Sequence, residues 1–125
     1  MGRFLKTAFI ASVLLAQPAL AADIVAGSHV FKAQCSQCHA TTASAAAGIG
    51  PSLAGVVGRK PGTQSAFAQR YSKAMKGQAQ PWTVAQLKNY IANPAKVVPG
   101  NAMPYPGLHD PAAVANIVAY LATLR

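Results

Sequence analysis

The segment Cys35-Ser36-Gln37-Cys38-His39 brings together residue types whose spacing can do chemistry. Thiols three positions apart lie about one helical turn apart, and the imidazole follows directly. That arrangement suits covalent attachment of a c-type haem. Both thiols reach the two vinyl groups on one porphyrin edge while the imidazole turns under the iron. Two other uses of a cysteine pair fit less well. A thioredoxin-like redox pair sits in a βαβ context, which nothing in this sequence predicts. A structural zinc site needs a second ligand pair, for which only His29 and His109 remain.

A second axial ligand decides what an iron held this way can do. The thioether candidates beyond Met1 are Met75 and Met103. Met75, in YSKAMKG, reads as a core filler on a short helix. Met103 lies in the Pro- and Gly-rich stretch VVPGNAMPYPG, far along the chain from His39, as a ligand from the other haem face should be. His29 and His109 read as surface residues.

The elements that must position these groups read as helices separated by Gly- and Pro-rich loops, with no alternating run long enough to predict a sheet. A first helix is expected from about Asp23 or Ala26 to Ser36, with Gly27, Val30, Phe31 and Gln34 on one face. Residues 40–70 are expected to be mostly loop. Within them, GIGPSLAGVVGRKPG carries five glycines and two prolines in fifteen residues, suited to backbone wrapped closely around a flat object. A short helix is expected at Ser72 to Lys76. Thr83 caps a further helix through Asn93, with Val84, Leu87, Tyr90 and Ile91 facing inward and Pro94 stopping it. The last helix has Asp110 at its cap, Pro111 in its first turn, and Val114, Ile117, Val118, Leu121 and Leu124 at helical spacing.

Composition narrows the setting. The 125 residues hold 11 Lys+Arg, 2 Asp+Glu and 2 Cys, and suit one domain. Arg3 and Lys6, an apolar stretch from Phe9 to Leu15, and Ala19-Leu20-Ala21 read as an export signal over residues 1–21, leaving a domain at 22–125. The apolar stretch is too short to span a bilayer, so no transmembrane segment is expected in the mature chain. Export implies a periplasmic address, where an unmodified thiol pair tends to oxidise. Past the leader, nine cations stand against Asp23 and Asp110. A chain this basic is drawn to anionic partners, but the cations are scattered singly without aromatic interleaving, which argues against nucleic acid. With one Trp and few long aliphatics, the chain is short of core material, and a large apolar cofactor would supply it.

With these residues in view, the chain resembles the class I cytochromes c, of the mitochondrial type and its bacterial relatives. The resemblance runs from Gly27 to Leu121. It rests on the register from His39 to Gly50-Pro51, to Gly58-Arg59-Lys60, and from Tyr71 to Trp82, Tyr90 and Met103, with about two extra residues between Gly62 and Tyr71. It implies an all-α fold of four to five helices wrapped around one covalent haem on Cys35 and Cys38, with His39 and Met103 as axial ligands. It further implies that His39 bonds the Pro51 carbonyl, that Tyr90 donates toward the Met103 sulfur, and that Tyr71 and Trp82 bond a haem propionate beside Arg59. Asn101 stands where a Thr usually bonds a propionate, and Met75 replaces a frequent Asn. Gly27 and Phe31 would pack on Ile117, Tyr120 and Leu121. Positions around the haem edge that often carry Lys read Gln34, Ala95 and Ala102, with Lys96 retained.

The function this implies is a monomeric one-electron carrier and not an enzyme. Its partners would be redox proteins such as a quinol-cytochrome c reductase, a terminal oxidase, a photosynthetic reaction centre or a periplasmic dehydrogenase. A haem subunit bound permanently in a larger oxidoreductase is the second reading. A five-coordinate sensor or peroxidase is the third, and it requires Met103 to leave the iron.

Overall fold

A computed structural model describes residues 21–125, so nearly all of the expected leader lies outside the described residues. Among them the fold is all-α, as expected, and no helix is long and apolar enough to cross a membrane. Helix α1 spans Ile24–Gln34, α2 Lys73–Lys76, α3 Val84–Ala92, α4 Pro94–Val97 and α5 Pro111–Leu121, with a 3₁₀ turn at Ser65–Phe67.

Local chemistry starts each helix where a short polar side chain can satisfy orphan amides. Asp23 accepts from the Ala26 amide at 3.0 Å, Thr83 from Gln86 at 3.1 Å, and Asp110 from Ala112 at 3.0 Å. Pro94 does end α3, but the expectation that it only stops a helix was incomplete. Asn93 accepts from the Lys96 amide at 3.2 Å, and Pro94 becomes the first residue of α4. A proline there loses no hydrogen bond, because the amide it lacks would have no partner inside the helix. Val84, expected on the inner face of α3, is 43% exposed, whereas Leu87 and Tyr90 are buried. It is the first residue of α3, at the end of the helix and ahead of the buried Leu87 and Tyr90. Helix α1 stops two residues before Ser36, and Leu124 lies beyond α5 in a closing turn, where its carbonyl accepts from the Gly55 amide at 3.1 Å.

The core is the crossing of α1 with α5, joined by α3. Phe31 meets Tyr120 with ring centroids 5.5 Å apart, and Val114, Ile117, Val118 and Leu121 are buried along α5. Gly27 sets the distance between the two helices. A Cβ added there would collide with the Asn116 carbonyl and reach Tyr120 Cβ at 3.0 Å. Asn116 also binds the start of α1, its Oδ1 accepting from the Asp23 amide at 2.8 Å.

Gly27→Ala should therefore cost about 1–3 kcal/mol through overpacking. Gly77→Ala, whose added Cβ approaches nothing closer than 3.4 Å, should change stability by less than about 1 kcal/mol. Denaturant unfolding of both variants of the holoprotein checks this, and equal losses would contradict the close crossing.

Candidate functional site

The cysteine-containing segment continues the winding of α1 after the helix ends. Cys35 caps α1 with its amide on Phe31 O at 2.8 Å, and the Cys35 carbonyl accepts from both Cys38 and His39 amides at 3.0 Å. This turn brings both thiols and the imidazole to one cavity of about 580 Å³. That volume is in the range of small-molecule and cofactor sites. Its far walls are core side chains, among them Trp82, Leu87, Tyr90, Ile117 and Leu121. Cys35 and Cys38 are not bridged. Burial, with Cys38 adding to it, pushes the Cys35 thiol up to about 11. It is therefore protonated at neutral pH and slow to exchange as a thiolate.

His39 is held by backbone. Its Nδ1 donates to the Pro51 carbonyl at 2.7 Å, and a carbonyl can only accept, so the bond fixes the tautomer and leaves Nε2 with a free lone pair. Burial pushes the imidazole below its ordinary value, the Pro51 carbonyl opposes this, and the charge of Arg59 adds to the lowering. The ring is thus kept neutral, the form that binds metal. Gly50 makes room for it: an added Cβ would fall 2.5 Å from His39 Cε1 and 2.8 Å from Nδ1.

Met103 lies on the same cavity, half-buried, and the Tyr90 hydroxyl points at its sulfur from 4.0 Å. Burial pushes the Tyr90 phenol up to about 12, so it remains a donor across the neutral range. The Met103 amide donates to Asn101 Oδ1 at 2.9 Å, while Asn101 Nδ2 donates to the Val98 carbonyl at 3.0 Å. Met75 also reaches the cavity and packs on the core.

The ten residues singled out from sequence divide into two groups. Cys35, Cys38, His39, Pro51, Tyr71, Trp82, Tyr90 and Met103 line the cavity. Arg59 and Asn101 do not. The Arg59 guanidinium donates to the carbonyls of Ala54 and Ser52, both at 3.1 Å, and burial holds it below its ordinary value. The Tyr71 hydroxyl accepts from the Gln64 amide at 3.3 Å, and Trp82 stacks at a tilt on Tyr90, centroids 4.9 Å apart.

Sequence reasoning passed over Arg70, which lines the cavity beside Tyr71. Its guanidinium donates to the Gly48 carbonyl at 2.6 Å and lies 4.6 Å from the centroid of the Phe67 ring. The pairing of Arg70 with Phe67 three residues earlier was the available signal. Gln34 was read as a position at the haem edge, but its partner was missed. It is exposed, and its Oε1 accepts from the Tyr105 hydroxyl at 2.5 Å.

These residues fit a covalently attached metalloporphyrin. The cavity offers two unbridged thiols, a neutral imidazole held through its other nitrogen, a thioether, apolar walls and a guanidinium for an anionic substituent. His39 and Met103 would hold the iron, and Cys35 and Cys38 the ring.

The chain is similar to known proteins over most of its length. The sequence model of the family described as Cytochrome c matches residues 24–125. Cytochrome c2 of Rhodomicrobium vannielii is 40% identical over 121 residues, covering 95% of this chain and 94% of that protein. Cytochrome c of Chlamydomonas reinhardtii is 42% identical over 101 residues, covering 81% and 88%. Among solved structures, cytochrome cH from Methylobacterium extorquens superposes with a TM-score of 0.73 at 42% identity, covering 81% of this chain and 98% of that one.

A pH test follows from Tyr90. The folded chain keeps its phenol proton up to about pH 12, while the unfolded chain releases it at the ordinary value of 10. The contribution to stability is therefore complete below pH 10 and lost as the pH climbs through about 12. Tyr90→Phe should flatten that fall, measured as denaturation midpoints at stepped pH; an identical alkaline fall in the variant would contradict it.

Proposed function

The chain belongs to the cytochrome c family, and on that premise we propose that it is an exported, monomeric, monohaem electron carrier with His39 and Met103 as axial ligands. One observation carries the reading: the Pro51-tethered imidazole, the thioether faced by Tyr90, and both thiols line a single cavity. When bound, the haem supplies a one-electron change at iron, and Met ligation raises its potential.

The chain's own residues do the rest. Pro51 keeps His39 in one tautomer and orientation. Tyr90 donates toward the Met103 sulfur without being able to ionise near neutral pH. Trp82, Leu87 and Ile117, buried along the cavity, would keep water from a ring held there, and their close packing would resist a change of shape between oxidation states. With His39 and Met103 both in place no position is open to a substrate, which supports a carrier over a peroxidase or ligand sensor. Electrons would pass at the rim between the half-buried Cys35 and Cys38 and the exposed Ala102 and Pro104. The redox partners would be a quinol-cytochrome c reductase, a terminal oxidase, a photosynthetic reaction centre or a periplasmic dehydrogenase, met briefly in weak encounters. The exposed small residues Ala95 and Ala102 favour a second reading, a permanent haem subunit of a larger oxidoreductase. Co-purification that survives high salt would select that reading.

Intact mass of the exported protein should equal Ala22 to Arg125 plus one haem that survives acid and organic extraction. Met103→Ala should abolish the weak far-red sulfur-to-iron band and admit cyanide, while Met75→Ala keeps the band. The reverse outcome would move the ligand to Met75.

Docking gives a further test. Exposed charges more than about 10 Å apart are screened at 0.1 M salt, so a dense lysine ring would make electron-transfer rates fall steeply with ionic strength. Ala95 and Ala102 thin that ring here, and a shallow slope is expected with an acidic partner. Ala95→Lys with Ala102→Lys should raise both the low-salt rate and its salt sensitivity. A steep wild-type slope, or no response to the added lysines, would assign docking to another face. Gln34 is left unchanged in this test because its side chain is engaged by Tyr105.

A further inference from the structure

We propose that the hydrogen bond from Tyr105 to Gln34 is a latch that holds the Met103 loop closed against α1 at the mouth of the cavity, making Tyr105 and Gln34 positioning residues for the axial sulfur. The inference rests on Met103 being the ligand. The bond joins side chains 71 residues apart, from Tyr105 Oη to Gln34 Oε1 at 2.5 Å. Gln34 immediately precedes the first cysteine of the attachment segment, and Tyr105 follows Met103 by two residues. Both line the cavity.

Two features make this bond more than a surface contact. Among the described residues, the only other hydrogen bond between two side chains is Tyr90 to Met103, so both act on one loop. The backbone of that loop is tied mainly to itself: the Met103 amide goes to Asn101 Oδ1 at 2.9 Å and the Tyr105 amide to the Met103 carbonyl at 2.9 Å. The next backbone bond to the rest of the fold is Leu108 to the Ile91 carbonyl, at 2.9 Å. The loop's hold on α1 therefore passes through the phenol.

The phenol is also well placed to transmit that hold. Pro104 and Pro106 flank Tyr105, fix their own φ angles and offer no amide, so the backbone around Tyr105 is stiff. Because the Tyr105 amide is bonded to the Met103 carbonyl, moving one moves the other. Met103 cannot swing away from the cavity without drawing Tyr105 off Gln34. The chemistry at position 34 is specific: an amide or carboxylate oxygen accepts the phenolic proton, whereas an alanine offers nothing and a lysine has no acceptor.

The test uses the ferric holoprotein at neutral pH with saturating cyanide, where the binding rate reports opening of the loop. Breaking one net hydrogen bond should raise that rate about three- to tenfold. Tyr105→Phe and Gln34→Ala should each do so. The double variant should be no faster than either single one, because both remove the same interaction. Gln34→Glu keeps the acceptor and should stay within about twofold of wild type. Throughout, the neutral far-red band and the haem content should be retained, showing that fold and ligation are intact. Unchanged rates in both single variants, additive rates in the double one, or a Gln34→Glu variant as fast as Gln34→Ala would overturn the latch. Absence of the far-red band from the wild-type protein would overturn the Met103 ligation, and the latch with it.

Discussion

The bond from His39 Nδ1 to the Pro51 carbonyl is the constraint around which the first half of the fold is arranged. It requires backbone to pass directly beside an imidazole, and Gly50 is the residue that lets it. The loop then has to be held there. The Gly50 amide returns to the Cys38 carbonyl at 2.8 Å and the Leu53 amide to Ala40 at 2.9 Å, while the buried Ser52 hydroxyl donates to the Thr42 carbonyl at 2.8 Å. Segment 38–53 is thus a closed loop whose ends are tied across the ring. A chain of irregular backbone becomes rigid because its polar groups pair with each other rather than with water.

Charge is used unusually in this arrangement. The two carboxylates, Asp23 and Asp110, both accept at helix starts, where the helix dipole favours a negative group. The two arginines near the cavity bind carbonyls instead: Arg59 grips Ala54 and Ser52, and Arg70 grips Gly48. Each clamps one end of the segment that carries Pro51. Carbonyl dipoles orient a guanidinium without cancelling its charge, so the side of the cavity near Tyr71 has a positive potential that favours anionic substituents there. The same two residues therefore stiffen the loop and prepare its electrostatics.

Much of this was legible in the sequence, for physical reasons that differ by element. The last helix was plain because Asp110, Pro111 and a run of apolar residues at helical spacing all agree, and the α1 to α5 packing followed from the family register. Helix α4 was not, because a proline reads equally as the end of one helix and the first turn of the next, and only the Asn93 side chain decides. Val84 shows the limit of periodicity: helical spacing says which residues share a face, not how far along its length that face is covered. The partners of Arg59 and Arg70 were hidden for another reason. A guanidinium that binds backbone carbonyls leaves no complementary residue type in the sequence to point to it. The Gln34 to Tyr105 pair was hidden by separation along the chain, since nothing in either neighbourhood signals the other.

The two walls of the cavity differ in how they are held, and this bears on where the site can yield. The His39 side rests on short backbone bonds within one closed segment, with Gly50 and Ser52 buried. The Met103 side rests on bonds that involve side chains: the Met103 amide on Asn101, a part-buried phenol 4.0 Å from sulfur, and a phenol on an exposed amide. Local opening follows the weaker set of contacts, because exposed side-chain bonds exchange with water at little cost and buried backbone bonds do not. Opening on the Met103 side releases the end of α1 at Gln34 but breaks none of the backbone bonds that hold the thiols and the imidazole. On the proposed ligation, a site built this way would keep one ligand and the cofactor attachment fixed, and would confine any ligand exchange to a short proline-bounded loop at the face where electrons would enter and leave.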